Sequence, residues 1–123
     1  MADPLPFQRW WVAQFSADTA HLSPAQVGNH VRLLMLAWRR ASCSIPADPE
    51  WICRRLNIGR HEYARDVAPA LADLWESDGE DYHNSAQREE RFHCEERSAQ
   101  AKQAALIRHH GDNIHSLKIK GKT

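Results

Sequence analysis

The sequence has no long apolar run: the aliphatic stretch Leu33-Leu34-Met35-Leu36 falls far short of the roughly 18 residues a membrane-crossing helix needs. It has no net charge, because 16 Lys and Arg balance 16 Asp and Glu over 123 residues. It has no Gly-rich phosphate loop and no nucleophile elbow, so no enzyme and no cofactor are expected. It also lacks the paired spacings of a zinc site, despite eight histidines. Cys43 and Cys53 lie ten apart, while His93 and Cys94, like His109 and His110, are adjacent. Adjacent helical residues point about 100° apart, so neither pair shares a face, and no metal is expected. The three cysteines, an odd count, read as small buried free thiols. Ala2, Asp3 and the prolines Pro4 and Pro6 do not make a basic-then-apolar leader, which points to a reducing, cytoplasmic setting.

What is present, 42% hydrophobic residues in 123, fits one soluble globular domain. Residues 7–15 hold Phe7, Trp10, Trp11 and Phe15. They read as a packed lid over one side of the core, built as a helix or as a strand and short helix. Ser23, Pro24 and Gln26 then spell a capping box, with Leu22 and Val27 as its hydrophobic staple. The stripe Val27, Val31, Leu34, Met35 and Trp38 predicts a helix with one buried face, ending near Arg40 or Ala41. Asp18 and Thr19 are expected to tie down the turn before it, and His21 to pack where that helix begins.

Cys43-Ser44-Ile45 before Pro46 is extended in character and suits one small strand. Asp48 and Pro49 open a second helix of about two turns carrying Trp51, Ile52 and Leu56. Leu56-Asn57-Ile58-Gly59 is a tight break, after which Tyr63, Val67, Leu71 and Leu74 predict a third helix, with a kink or break at Pro69. Two short helices joined this way form a helix-turn-helix, whose second helix is expected over residues 60–68. Asp78-Gly79, flanked by Trp75 and Tyr82, predicts a β-hairpin, the wing of a winged helix. Residues 86–110 read as an appended polar helix with a thin seam at Phe92, Ala99 and Leu106, leaning on the domain with one edge or pairing with another chain as a homodimer. Gly111 is expected to end it, leaving residues 111–123 as a flexible basic tail. The fold class is therefore mainly α with a small β-hairpin: a winged helix-turn-helix over residues 1–85 plus a long C-terminal helix.

Three features together resemble one family. They are Trp11 followed by Phe15-Ser16-Ala17-Asp18-Thr19-Ala20-His21-Leu22-Ser23; Gly28 with Leu33-Leu34 and Trp38; and Asp78-Gly79 with Tyr82-His83. The pattern, over roughly residues 7–105, is similar to the YdaU-like family of phage and prophage proteins, a domain of unknown function. The resemblance implies a winged helix like those of phage replication-initiation proteins and replisome organisers, working in bacterial cytoplasm. It implies no catalytic residues. Where such proteins often carry Arg-Leu after the wing, this chain has Ser85-Ala86, and Glu89, Glu90, Glu95 and Glu96 balance the arginines of the next helix.

Two partners follow. For double-stranded DNA, the lead, the contacting set is Arg39, Arg40, Arg54, Arg55, Arg60, His61 and Arg65, with Lys118, Lys120 and Lys122 as a tail. The alternative is a host or phage protein, docked on Glu76, Asp78, Glu80, Asp81, Glu89, Glu90 and Phe92. The zero net charge hides a segregation: +3 over residues 1–60, −7 over 61–100 and +4 over 101–123. Any DNA contact is expected from the N-terminal helices and the tail, with the acidic wing turned away.

Overall fold

The computed structural model describes residues 5–120, and the side chains of residues 5–111. Its elements in order are α1 (Val12–Thr19), α2 (Pro24–Trp38), β1 (Ile45–Pro46), α3 (Pro49–Leu56), α4 (Arg60–Asp66), α5 (Ala68–Leu74), β2 (Glu76–Ser77), β3 (Asp81–His83) and α6 (Ser85–Lys120). The chain is mainly helical, with a small antiparallel sheet and a long C-terminal helix. It divides into two compact units, one up to Arg91 and the other from Phe92 onward, and α6 runs through both.

α2 starts as its sequence dictates. The Ser23 hydroxyl accepts from the Gln26 amide at 3.2 Å, and the Gln26 side chain accepts from the Ser23 amide at 2.9 Å. The buried face is rotated from the expected stripe. Leu33 and Ala37 are fully buried, whereas Met35 is 56% exposed. Leu33, Leu34 and Met35 are consecutive and apolar, so periodicity alone does not choose which of them faces inward. α2 also stops at Trp38, short of the expected Arg40 or Ala41.

α3 is capped by Asp48, whose carboxylate accepts from the Glu50 amide at 3.0 Å. Asn57 ends it in the left-handed conformation at φ 57°, and the Ile58 amide reaches back to the Cys53 carbonyl at 3.0 Å. The next helix divides at Val67, two residues before Pro69, so α4 ends at Asp66, short of the expected residue 68. A proline cannot donate to the carbonyl four residues earlier. That carbonyl, on Arg65, instead accepts from the Gln26 side chain at 3.0 Å, and Asn29 donates to the Asp66 carbonyl at 3.5 Å. Polar side chains of α2 thus satisfy the backbone that the break releases.

The three strands stand in the order β1-β3-β2. Ile45 pairs with Tyr82 on one side of β3, and Ser77 pairs with Tyr82 on the other. Pro46 lies on the outer strand, where a missing amide costs no ladder bond. Gly79 turns the hairpin at φ 99°, and the Asp78 carboxylate accepts from the Glu80 and Asp81 amides at 2.9 and 2.7 Å.

The core joins Leu33, Leu34 and Ala37 of α2, Ile45 of β1, Ile52 and Leu56 of α3, and Val67, Leu71 and Trp75. The expected aromatic lid does not form. Phe7, Trp10 and Trp11 are 75%, 44% and 59% exposed, and of the four N-terminal aromatics only Phe15 packs on the core. Arg9 fastens this segment: its guanidinium grips the buried Glu90 carboxylate at 2.9 Å, and its backbone amide adds a bond at 2.7 Å. Gly111 does not end α6, which continues to Lys120, so the expected loose tail is helical backbone as far as that residue. A helical glycine costs only about 1 kcal/mol relative to alanine, so one glycine need not end a helix.

Candidate nucleic-acid interface

The basic residues expected to contact DNA fall into two groups. The first is Arg39, Arg40, Arg54 and Arg55, of which two lie over Trp51 of α3. The guanidinium of Arg40 lies 5.5 Å from the Trp51 ring centroid and that of Arg55 lies 5.0 Å from it. Both cations are held by the quadrupole of one half-buried indole. Arg39 and Arg54, next in sequence to these two, are exposed. The pair Arg54 and Arg55 occupies the last turn of α3, where the helix dipole favours cations. Arg32, which the sequence pattern did not single out, donates to the Leu56 carbonyl at that same helix end at 3.5 Å. Arg40 is partly withdrawn, for its Nε is buried without a hydrogen-bond partner.

The second group is on α4. Arg60, His61 and Arg65 are all exposed there, as the sequence suggested. Their charge is weaker than expected. Arg65 forks onto Asp66 with contacts of 2.8 to 3.1 Å. Hydrogen bonding to Arg65 holds the Asp66 carboxyl below its usual range, and the same bond pushes Arg65 up. A phosphate approaching Arg65 therefore meets a neutralised pair. Glu62 adds another acid to the same short helix. The strongest cationic ground is thus around Trp51 and at the start of α4. Of the three expected tail lysines, Lys122 lies outside the described residues, and the side chains of Lys118 and Lys120 do too.

The acidic set divides as well. Glu76 and Glu80 are exposed, as is Asp78, whose carboxyl is held low by the Asp81 and Glu80 amides. Asp81 is half-buried and accepts from the Ser44 hydroxyl at 2.6 Å. Glu89 and Phe92 are exposed. Glu90 leaves the docking set: it is 4% exposed, and Arg9 occupies both its oxygens. Its charged neighbours in sequence, Arg88, Glu89 and Arg91, hid this, since a charge run normally reads as a solvated face.

Before α2, the Thr19 hydroxyl donates to the Phe15 carbonyl at 2.8 Å, the local bonding expected of it. His21 does not pack; it is exposed and meets Asp73 of α5 at 2.9 Å. Sequence reasoning missed the buried His30, which accepts from the Trp75 indole N–H at 2.9 Å. It also missed an open apolar groove of about 270 Å³ lined by Phe7, Trp10, Leu34, Met35 and Trp38. Among the described residues no cluster of His, Cys, Asp and Glu is arranged to hold a metal ion, and no helix is long and apolar enough to cross a membrane.

Compared with known proteins, residues 6–90 match a family model described as "Protein of unknown function (DUF1376)". No curated protein and no solved structure matches.

Proposed function

The chain belongs to this family of unknown function, and from that premise we propose that it is a winged helix-turn-helix protein of phage or prophage origin that binds double-stranded DNA in phage replication or its control. The winged-helix reading is supported by the order of elements. A helix, a strand, two helices about a tight turn, the further short helix α5 and a hairpin follow one another, and the hairpin strand β3 sits between β1 and β2. In this reading α3 and α4 are the helix-turn-helix and residues 78–80 are the tip of the wing.

The observation that carries the DNA reading is the pair Arg40 and Arg55 over Trp51, with the exposed Arg54 beside Arg55 in the last turn of α3 and the exposed Arg60 and His61 next along the chain. Arginines held over an indole are oriented before a phosphate arrives, which lowers the ordering cost of the contact. The arginines of α3 grip the backbone, and the start of α4 meets the base edges. The acidic tip carrying Asp78 and Glu80 faces away from the duplex. The protein works in the cytoplasm of a bacterial host, without catalysis.

Fluorescence anisotropy on a labelled duplex tests this. Binding is expected at about 50 mM salt and weakens steeply toward about 200 mM. Arg54→Ala and Arg55→Ala each weaken it and flatten the salt slope by about 0.9 for each phosphate no longer neutralised. Arg65→Ala changes little, because its charge is already paired. No affinity at about 50 mM salt overturns the reading, since phosphate-driven binding is strongest there. A second reading is a non-catalytic protein-interaction module. It is favoured by the wing tip, where two backbone amides keep the exposed Asp78 ionised. Recovery of a host or phage protein whose binding is lost on Asp78→Asn or Glu80→Gln, with no DNA affinity, supports it.

A further inference from the structure

From Phe92 onward, α6 carries a surface that the DNA reading does not use. Phe92, Leu106 and Ile107 are 62%, 65% and 62% exposed, and Ala99 is exposed with them. At about 100° per residue, Phe92, Ala99 and Leu106 lie within about 40° of one line along the helix. Glu95 and Lys102, seven apart, both follow one flank of that line. Charge along the helix is graded. Residues 92–96 contain Glu95 and Glu96 and no Lys or Arg, whereas residues 97–110 contain Arg97, Lys102 and Arg108 and no acid. The helix dipole does not account for this gradient. Its influence fades within the first turn, and Glu95 lies well beyond the first turn of a helix that starts at Ser85.

We infer that this face of α6 pairs with a second copy of the chain, antiparallel, along Phe92, Ala99 and Leu106. Antiparallel pairing lays the acidic residues 92–96 of one helix beside the basic stretch of the other; parallel pairing sets like charge against like. With Ala99 facing the partner's Ala99, Phe92 comes opposite the partner's Leu106, because each lies seven residues from Ala99. Glu95 then runs alongside the partner's Lys102. Within one helix these two are about 10 Å, or about two turns, apart along the axis, farther than the three or four residues of an ordinary pair. The narrow seam makes the association weak and concentration-dependent.

Sedimentation equilibrium on the full chain, from about 1 μM to about 1 mM, is the test, because weak pairing falls in that range. A monomer–dimer equilibrium is expected, and Leu106→Asp abolishes it while circular dichroism keeps its helical signal. Glu95→Lys and Lys102→Glu each raise the dissociation constant about three- to tenfold, since each change acts on two symmetric contacts. The double variant returns to within about twofold of the wild type. A chain that stays monomeric throughout overturns the inference. So does a dimer indifferent to Leu106→Asp, or one in which the double variant brings no rescue. The inference is independent of DNA binding, since the equilibrium is read without nucleic acid.

Discussion

His30 sits at the centre of a run of rings: Trp10 to Phe15 at 4.6 Å, Phe15 to His30 at 5.8 Å, and His30 to Trp75 at 5.9 Å. Its Nδ1 accepts from the Trp75 indole, so the neutral ring carries its proton on Nε2. Burial pushes its pKa from 6.5 down to about 4, with Asp18 pulling weakly the other way. A base whose pKa is lowered by folding stabilises the fold fully above the unfolded value, and that contribution is lost as pH falls. The unfolded chain takes up the proton below about 6.5, the folded one only near 4, so stability declines across that window, by roughly 3 kcal/mol in all. Urea unfolding followed from pH 7 to pH 4 is expected to show this slope, and His30→Gln is expected to remove most of it. An NMR titration placing His30 near 6.5 contradicts the account. No sequence signal marked this residue. His30 stands one step from Val31, which the periodicity favoured, and a lone histidine beside an apolar stripe looks like any solvated one.

At the scale of elements, the sequence was most legible where local chemistry decides. Ser23 with Gln26, Asp48 with Pro49, Asn57 before Gly59 and Asp78 with Gly79 each name a cap or a turn whose geometry depends on few neighbours, and each stands where expected. It was less legible where two elements share a task. Pro69 announces a break, but its position at Val67 depends on α2 offering Gln26 and Asn29 to the released carbonyls. Gln26 thus has two roles, which can be separated. Gln26→Ala removes both and is expected to cost about 1–2 kcal/mol in denaturant unfolding. Gln26→Glu keeps the bond from the Ser23 amide but cannot donate to the Arg65 carbonyl, so it is expected to remain about 1 kcal/mol below the wild type. A Gln26→Glu protein as stable as the wild type assigns no energetic role to the contact with Arg65. The N-terminal aromatics were illegible for a related reason. Phe7, Trp10 and Trp11 have the composition of a core, yet α2 already fills that space with Leu33, Leu34 and Trp38.

Over the whole chain, the balanced charge proves to be a sum of separate surfaces. Of the basic site residues, Arg54 and Arg55 of α3 are exposed, whereas Arg40 is partly withdrawn and Arg65 is paired with Asp66. Charge counts by segment reach the first distinction but not the second, because pairing is a matter of geometry. The salt response of DNA binding is accordingly expected to reflect the arginines of α3 more than those of α4.

The clasp between Arg9 and Glu90 joins residues 81 positions apart and encloses every element from α1 to β3. Such a contact has a place in time as well as in space. Closing so long a loop early carries a large entropic cost, so the clasp forms after the intervening core has assembled. Arg9→Ala, which removes the guanidinium from a buried carboxylate, is expected to lose about 3 kcal/mol, nearly all of it as faster unfolding with the folding rate unchanged. Stopped-flow kinetics that instead slow the folding arm place the clasp in the nucleus. Otherwise Arg9 sets how long the folded domain lasts, and has little say in how quickly it forms.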